Sequence, residues 1–487
     1  MHSQTETVSR VDAGDGLAPL AGRARELFQP LRSAPDLALL AALLLLTAAF
    51  SREFSTGIQL GPIYVTEIFM GAMGAIALLS LGVGRSWALL RRLPLLVLGL
   101  FWLVGLIATV RGLIDYGASL VGEDIGLALY SLILPLMALI VRDRGRFGAM
   151  LGVLVVCGFV AMAVFTVTYA ADQIQSTADS LITVQGAAAG LYISFAVAWL
   201  ASRAVQRVPT PWPLLALIPF GLVLMGLTSQ RSVWTMAVLA LVVIAVLAPI
   251  SVRWKSVPAM IGVLVLAFGI AAGLQTGINE VSGGVVGSGE NRATSSGEPG
   301  DSTPQLATEL ESFTGAGDSG ESENVRWRLD YWSELLGRVP DDPLLGVGFG
   351  RPSAFLWQGD KYDFRHGHPT SPGDVTGPHN SFVHIAYRMG VPAIAAVLFL
   401  LFVALRNVIR AMREHPSRED RVALSTLTAM LAAGFMASSF NEGLTGPYLG
   451  LFFWVPLGML LLWPWVRGEG STAPSARPSR TSAESAS

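Results

Sequence analysis

The chain has 487 residues, 52% of them hydrophobic and 14% charged, with a mean hydropathy of +0.54. That composition excludes an ordinary soluble domain and describes an integral membrane protein. The formal net charge of −2 does not identify partners, because the charges segregate by side; no nucleic acid is expected, and a single cysteine, Cys157, excludes an intrachain disulfide framework.

Residues 1–35 are polar and lack the apolar core and cleavage site of a signal peptide, so they read as a cytoplasmic tail. A bilayer crossing takes about 20 mostly apolar residues. On that rule about twelve segments qualify: 36–51, 63–83, 93–110, 121–141, 147–170, 180–201, 211–228, 232–250, 257–275, 380–405, 422–441 and 446–466. Nine precede the long polar stretch, within 36–275, and three follow it, within 380–466. The end of the chain, 467–487, is rich in Ser, Ala, Pro and Arg and reads as a disordered cytoplasmic tail.

Arginine placement sets the expected orientation. With the N-terminus inside, alternate connections hold Arg85, Arg91 and Arg92; Arg142, Arg144 and Arg146; Arg203 and Arg207; Arg253 and Lys255; and Arg406 through Arg421. The short connections on the other side hold only Arg52, Arg111 and Arg231. An odd number of crossings before residue 276 then puts the loop 276–379 outside. Residues 281–323 are Gly-, Ser-, Thr- and acid-rich and cannot bury enough surface to fold alone, so they read as a flexible insert. From Val325 the spacing turns helical: Trp327, Tyr331 and Leu335, with Val325, Leu329, Trp332 and Leu336, predict a broad apolar face. Residues 339–350 follow as a Pro/Asp/Gly turn, and 325–379 forms the chemically loaded half of the loop.

Four positions stand out. Arg231 breaks the positive-inside pattern in a short polar outer connection, where it either snorkels to headgroups or offers a cation to a diphosphate. Arg328 shares a helix face with Trp332 at i and i+4, whereas Arg326, two residues earlier, points elsewhere. His379 and Asn380 open an apolar helix; Asn is a good N-cap, and a helix N-terminus favours anions. A histidine there can serve as a general base on a hydroxyl. Arg388 and His384 follow on the same helix at a depth where charge is costly; Arg388 either lines the site or pairs with Glu67, Glu123, Asp124 or Glu442. His366 and His368 lie nearby, but their spacing with His379 fits no zinc pattern, and no metal is expected. Asp341–Asp342 reads as a turn. No nucleotide-binding fingerprint appears, because the run GVGFG lacks the strand and helix context.

Taken in order, the twelve segments, an arginine in a short outer connection, a long loop after the ninth segment carrying R-x-x-x-W (Arg328 to Trp332), PLLGVGFG (343–350) and H-N (His379–Asn380) resemble the O-antigen ligase / O-antigen polymerase superfamily of membrane glycan transferases. The resemblance implies an all-α, GT-C-like membrane fold with its site on the outer face of the bacterial cytoplasmic membrane. It implies transfer of a glycan from undecaprenyl diphosphate to a lipid or a growing polysaccharide, with inversion and without metal or other cofactor. Carried onto this chain, Arg231 and Arg328 would bind the diphosphate and His379 would activate the acceptor hydroxyl. Asn380, Arg326 and Arg388 would contact substrate, with membrane lipids as surroundings. The insert 281–323 is longer than the family motif requires, and TVQGAAAG (183–190) stands where related chains carry an Asn-Pro-Asn-like element.

Two other classes compete. A lipid-linked-oligosaccharide transporter would have broken spans and matched halves with polar groups near the bilayer midplane; here the polar residues concentrate in one asymmetric loop. A non-catalytic scaffold would have no use for Arg231, Arg328 and His379 together.

Overall fold

The computed structural model describes residues 28–60, 63–175, 181–228, 230–285, 320–351, 355–357, 360–362 and 378–468. Its helices are α1 (Pro35–Ser55), α2 (Val65–Leu81), α3 (Val83–Leu90), α4 (Leu95–Asp115), α5 (Ala118–Asp124), α6 (Gly126–Leu129), α7 (Ile133–Ile140), α8 (Arg144–Gln175) and α9 (Leu181–Val205). They continue as α10 (Trp212–Leu215), α11 (Leu217–Leu227), α12 (Arg231–Leu247), α13 (Ile250–Val285), α14 (Gly320–Arg338), α15 (Ser381–Arg413), α16 (Arg418–Phe440) and α17 (Pro447–Gly468). Two small antiparallel hairpins interrupt them, β1 (Gln59–Leu60) with β2 (Ile63–Tyr64), and β3 (Phe355–Trp357) with β4 (Asp360–Tyr362), where Leu356 faces Lys361.

Among the described residues, nine helical segments are long and apolar enough to cross a membrane. Helices suit that setting because every backbone polar group is satisfied within the segment. A tenth crossing is formed only if α2 and α3 count together, and they bend by 114° at Gly82, whose φ of +73° a side chain would resist. The segments read at 211–228 and 232–250 form shorter apolar helices, Trp212–Leu227 and Ser232–Leu247. At 1.5 Å per residue each reaches about 24 Å, short of a hydrocarbon core of about 30 Å. The ninth segment instead overshoots: α13 continues to Val285, inside the stretch read as insert, and α14 begins at Gly320 rather than at 325. The remainder of that insert lies outside the described residues.

The bundle is built around α17, of which 89% of the apolar window is buried, against 11% for Ile250–Leu274 in α13. Trp454 of α17 is fully buried and meets Phe101 of α4 and Phe453 edge-on. Close approach elsewhere uses small residues, as membrane packing does: a β-carbon on Gly158 would lie 2.5 Å from the backbone of Ala196, and one on Gly190 2.4 Å from Val233. The bundle has two distinct ends. At one, Arg144 pairs with Asp420 and Arg203 with Glu419, tying α8 and α9 to the start of α16. At the other, the far end of α16 meets the start of α15, where the Ser381 hydroxyl donates to the Asn441 carbonyl at 3.1 Å.

A break in α15 organises this second end. Gly390 has a φ of +77°, and Pro392 follows within the helix. Proline has no N–H, so the Arg388 carbonyl loses its helical partner. The Val391 N–H turns away to the Pro343 carbonyl at 2.8 Å, which frees the Tyr387 carbonyl as well. The 343–350 segment fills both vacancies: the Val347 N–H donates to Tyr387 O at 2.9 Å and the Gly348 N–H to Arg388 O at 3.1 Å. The Phe349 N–H then reaches the Ala108 carbonyl of α4 at 3.1 Å, and the Arg111 guanidinium bonds the Asp342 carboxylate at 2.5 Å and the Gly346 carbonyl at 2.9 Å. The glycines of PLLGVGFG are needed for this fit, since Gly346 has a φ of +65° and a β-carbon there would lie 2.5 Å from the Arg388 backbone.

Gly390→Ala would place a β-carbon 2.8 Å from Pro343 O in a left-handed conformation. It should destabilise this end by about 1–3 kcal/mol and speed proteolysis between 339 and 351. Gly262→Ala, with open space around it, should do neither. Thermal unfolding in detergent and timed proteolysis check both outcomes.

Candidate active site

The polar residues singled out in sequence separate into two layers. The outer one is held by α14. Its Trp327, Tyr331 and Leu335 are buried against Val347, Val383 and Tyr387. The broad face expected there narrows to one stripe, since Leu329 is 54% and Leu336 46% exposed. Trp332 is half-buried and donates its indole N–H to the Pro378 carbonyl at 2.6 Å. That bond ties α14 to the residue before His379. Arg328, one turn ahead of Trp332, is half-buried and lies within electrostatic reach of the His379 ring. Arg326 is exposed, on another face of α14.

His379 adopts a φ of +47°, an uncommon backbone conformation for a side chain of this size, and its N–H donates to the Glu442 carboxylate at 3.2 Å. Burial pushes the imidazole pKa below the ordinary histidine value; the Glu442 carboxylate opposes that shift, and the Arg328 guanidinium adds to it. The ring is therefore held neutral near pH 7, the protonation state a proton acceptor needs. Asn380 caps α15, its side-chain oxygen accepting from the Phe382 N–H at 3.0 Å and the Val383 N–H at 3.1 Å. Two orphan donors at the helix start are thus already satisfied by the cap. Glu442 is itself fixed by a short turn, with Thr445 donating through both its N–H and its hydroxyl to the Glu442 carbonyl.

The inner layer is a buried charge cluster. Arg388 is fully buried and pairs through Nε with Asp124 Oδ2 at 3.0 Å, while His384 Nε2 lies 2.9 Å from Asp124 Oδ1. Asp124 also accepts the Gly350 N–H at 2.7 Å, and Arg388 donates to the Arg351 carbonyl. Among the described side chains of the four acids named as possible partners of Arg388, Asp124 is the one it meets. Glu67 accepts from the Tyr130 hydroxyl at 2.6 Å, Glu442 serves His379, and the Glu123 side chain lies outside the described residues. Arg388 therefore stands as a clamp on the end of the 343–350 segment, beneath His379, rather than at a surface a substrate reaches. The reason is its neighbourhood: a guanidinium excluded from water this completely needs a charged partner.

Arg231 is the first residue of α12, and the expectation for its side chain lies outside the described residues, as do those for His366 and His368. The structure places Arg328 within electrostatic reach of His379, two residues that the sequence resemblance assigns to one site. Sequence reasoning did not pick out Glu442 as the residue beside His379, because the signal for it, an acid 63 positions away, becomes local only when α15 and α16 pack.

Removing one member of a buried ion pair leaves the other uncompensated, at a cost of about 3–5 kcal/mol. Asp124→Ala should show that loss in unfolding by SDS titration. Asp124→Asn combined with Arg388→Met should recover much of it, since no charge stays buried and an acceptor for Gly350 remains.

The O-antigen ligase family model matches residues 214–398, from α10 through the 276–379 loop and past the break in α15. No curated protein matches the chain. The matched stretch contains Arg231, Arg328, the PLLGVGFG segment, His379 and Arg388. This match over residues 214–398 supports a likeness to the O-antigen ligase/polymerase family, whose members transfer glycans in membranes.

Proposed function

We propose that the protein moves a glycan from undecaprenyl diphosphate to an acceptor hydroxyl at the outer face of the bacterial cytoplasmic membrane, as a ligase. The observation that carries this reading is the meeting of His379, Arg328 and Glu442 at the start of α15. A neutral imidazole, a guanidinium and a carboxylate there supply what displacement of a diphosphate requires. The acceptor oxygen attacks the anomeric carbon, and its proton passes to the His379 ring. The bond from that carbon to the diphosphate oxygen breaks on the opposite side, with inversion, and undecaprenyl diphosphate leaves with the electron pair. Arg328 neutralises the charge that develops on the leaving oxygens, an effect worth several kcal/mol where water is excluded, and its planar fork suits phosphate oxygens bidentately. Arg231, at the first residue of α12, is assigned the second cation on the diphosphate. Glu442 positions His379 through its backbone and keeps the ring basic enough to accept a proton. Arg326 and Asn380 contact the substrate only at its periphery, Arg326 because it faces solvent and Asn380 because its side chain already caps α15. The outer-face location follows from the arginine distribution, the short helices Trp212–Leu227 and Ser232–Leu247 being taken as crossings so that the bundle has twelve. A polymerase of the same family differs only in the acceptor, the growing polysaccharide itself.

The test uses purified protein in nanodiscs with an undecaprenyl-diphosphate oligosaccharide and a membrane extract of its own source. Wild type should release undecaprenyl diphosphate and form one discrete product; a ladder of products means a polymerase, and no release with intact donor means a transporter. His379→Ala should lose at least 100-fold, the scale of a general base, with insertion unchanged. Arg328→Lys should be strongly impaired, because charge alone does not replace the fork. The pH profile of kcat/KM should show an acid limb below pH 6.5, the ordinary histidine value, since the base works only when deprotonated and its pKa is lowered. Glu442→Gln removes the charge that opposes the lowering, so its limb should move further toward acid.

A further inference from the structure

The end of the bundle opposite His379 carries a second kind of site. We propose that a groove between α9, α11, α12 and α13 binds one acyl chain of an anionic phospholipid, with the headgroup against Arg207 and Lys255. This inference does not rest on the transfer reaction above.

The groove encloses about 290 Å³, and Leu222, Leu241, Met260 and Val263 give it apolar walls. Arg207 and Lys255 stand at its mouth, both exposed, and no Asp or Glu contributes to its lining. Among the described residues no carboxylate forms an ion pair with either cation. The mouth lies at the end of the bundle where Arg203 meets Glu419, just before Arg207 in the chain. From Lys255 to Val263, α13 advances about 12 Å, close to the depth of one leaflet, half of a hydrocarbon core of about 30 Å. The outer wall is α13, the least buried of the crossings, so the groove opens to the bilayer rather than into the protein. Ala201, Ala204 and Ala259 keep it wide. A basic mouth over an apolar slot of one leaflet's depth matches a lipid with a negative headgroup in that same leaflet.

A larger groove of about 420 Å³ at the same end supplies the contrast. Its arginines Arg144, Arg203 and Arg467 are already paired with Asp420, Glu419 and Glu414, at 2.5 Å, 3.5 Å and 2.6 Å. It therefore offers a chain-shaped space with its charge largely spent, and takes lipid without preference for headgroup charge.

Native mass spectrometry of the full chain in detergent, with phosphatidylglycerol or phosphatidylcholine added, tests the assignment. Two cations at a bilayer surface correspond to about 30-fold preference for the anionic lipid. Wild type should show that preference, Lys255→Gln should reduce it about five-fold, and Arg207→Gln with Lys255→Gln should bring the two lipids near parity. Arg144→Gln should leave it unchanged. Equal retention of both lipids by wild type overturns the proposal, as does a preference that survives in the double variant or disappears in Arg144→Gln. Should the double variant not fold, the single Lys255→Gln and Arg144→Gln results decide alone.

Discussion

The end of the bundle that holds His379 depends on two carbonyls that a helix gave up. Gly390 turns the backbone and Pro392 removes a donor, so Tyr387 and Arg388 present their oxygens to the side instead of along the axis. Unpaired carbonyls at that depth are expensive, and the 343–350 segment answers with two N–H groups in register. The same exchange runs in reverse at Val391, whose N–H serves Pro343. Loop and helix thus share one hydrogen-bond set, and the start of α15, where His379 sits, is placed by the loop as much as by the helix.

Charge completes what the backbone begins. Asp124 joins three elements at once: the Gly350 amide of the loop, Arg388 of α15, and its own position after α4. A buried ion pair of this kind adds little stability over an apolar replacement of the same volume. Its consequence is registry, because only one placement of the loop satisfies both the Gly350 N–H and the guanidinium. The layer above inherits that registry through Trp332, which bonds Pro378, and so His379 is approached from two sides by groups whose positions are already fixed.

Much of this was legible in the residues, and the failures have physical causes. Apolar length located the long helices, and α2 falls within the segment read at 63–83, but it does not register a bend at a single glycine, so α3 (Val83–Leu90) reads as part of the following connection. Arginine bias separated the two ends. The 3.6-residue period found α14, yet two residues of its predicted apolar face, Leu329 and Leu336, are exposed, because only the stripe of Trp327, Tyr331 and Leu335 packs against Val347, Val383 and Tyr387. Asn380 followed from cap chemistry alone. Arg388 left two readings open in sequence, lining or paired, since its partner Asp124 is distant in the chain and only tertiary packing chooses among acids. Glu442 was visible as a charge near a span and acquired meaning only beside His379.

The contacts at this end join residues made far apart in time. Gly350 reaches Asp124 across 226 positions, and Arg111 reaches Asp342 across 231. At about 5–20 residues per second, Asp124 and Arg111 wait on the order of tens of seconds for their partners after they themselves are synthesised. Throughout that interval a carboxylate rests at membrane depth without its guanidinium, which a bilayer tolerates poorly. The early helices are therefore inserted in an unfinished state, and completion is signalled by the arrival of α15. A nascent chain truncated before Arg388 leaves Asp124 without the guanidinium it pairs with in the finished fold.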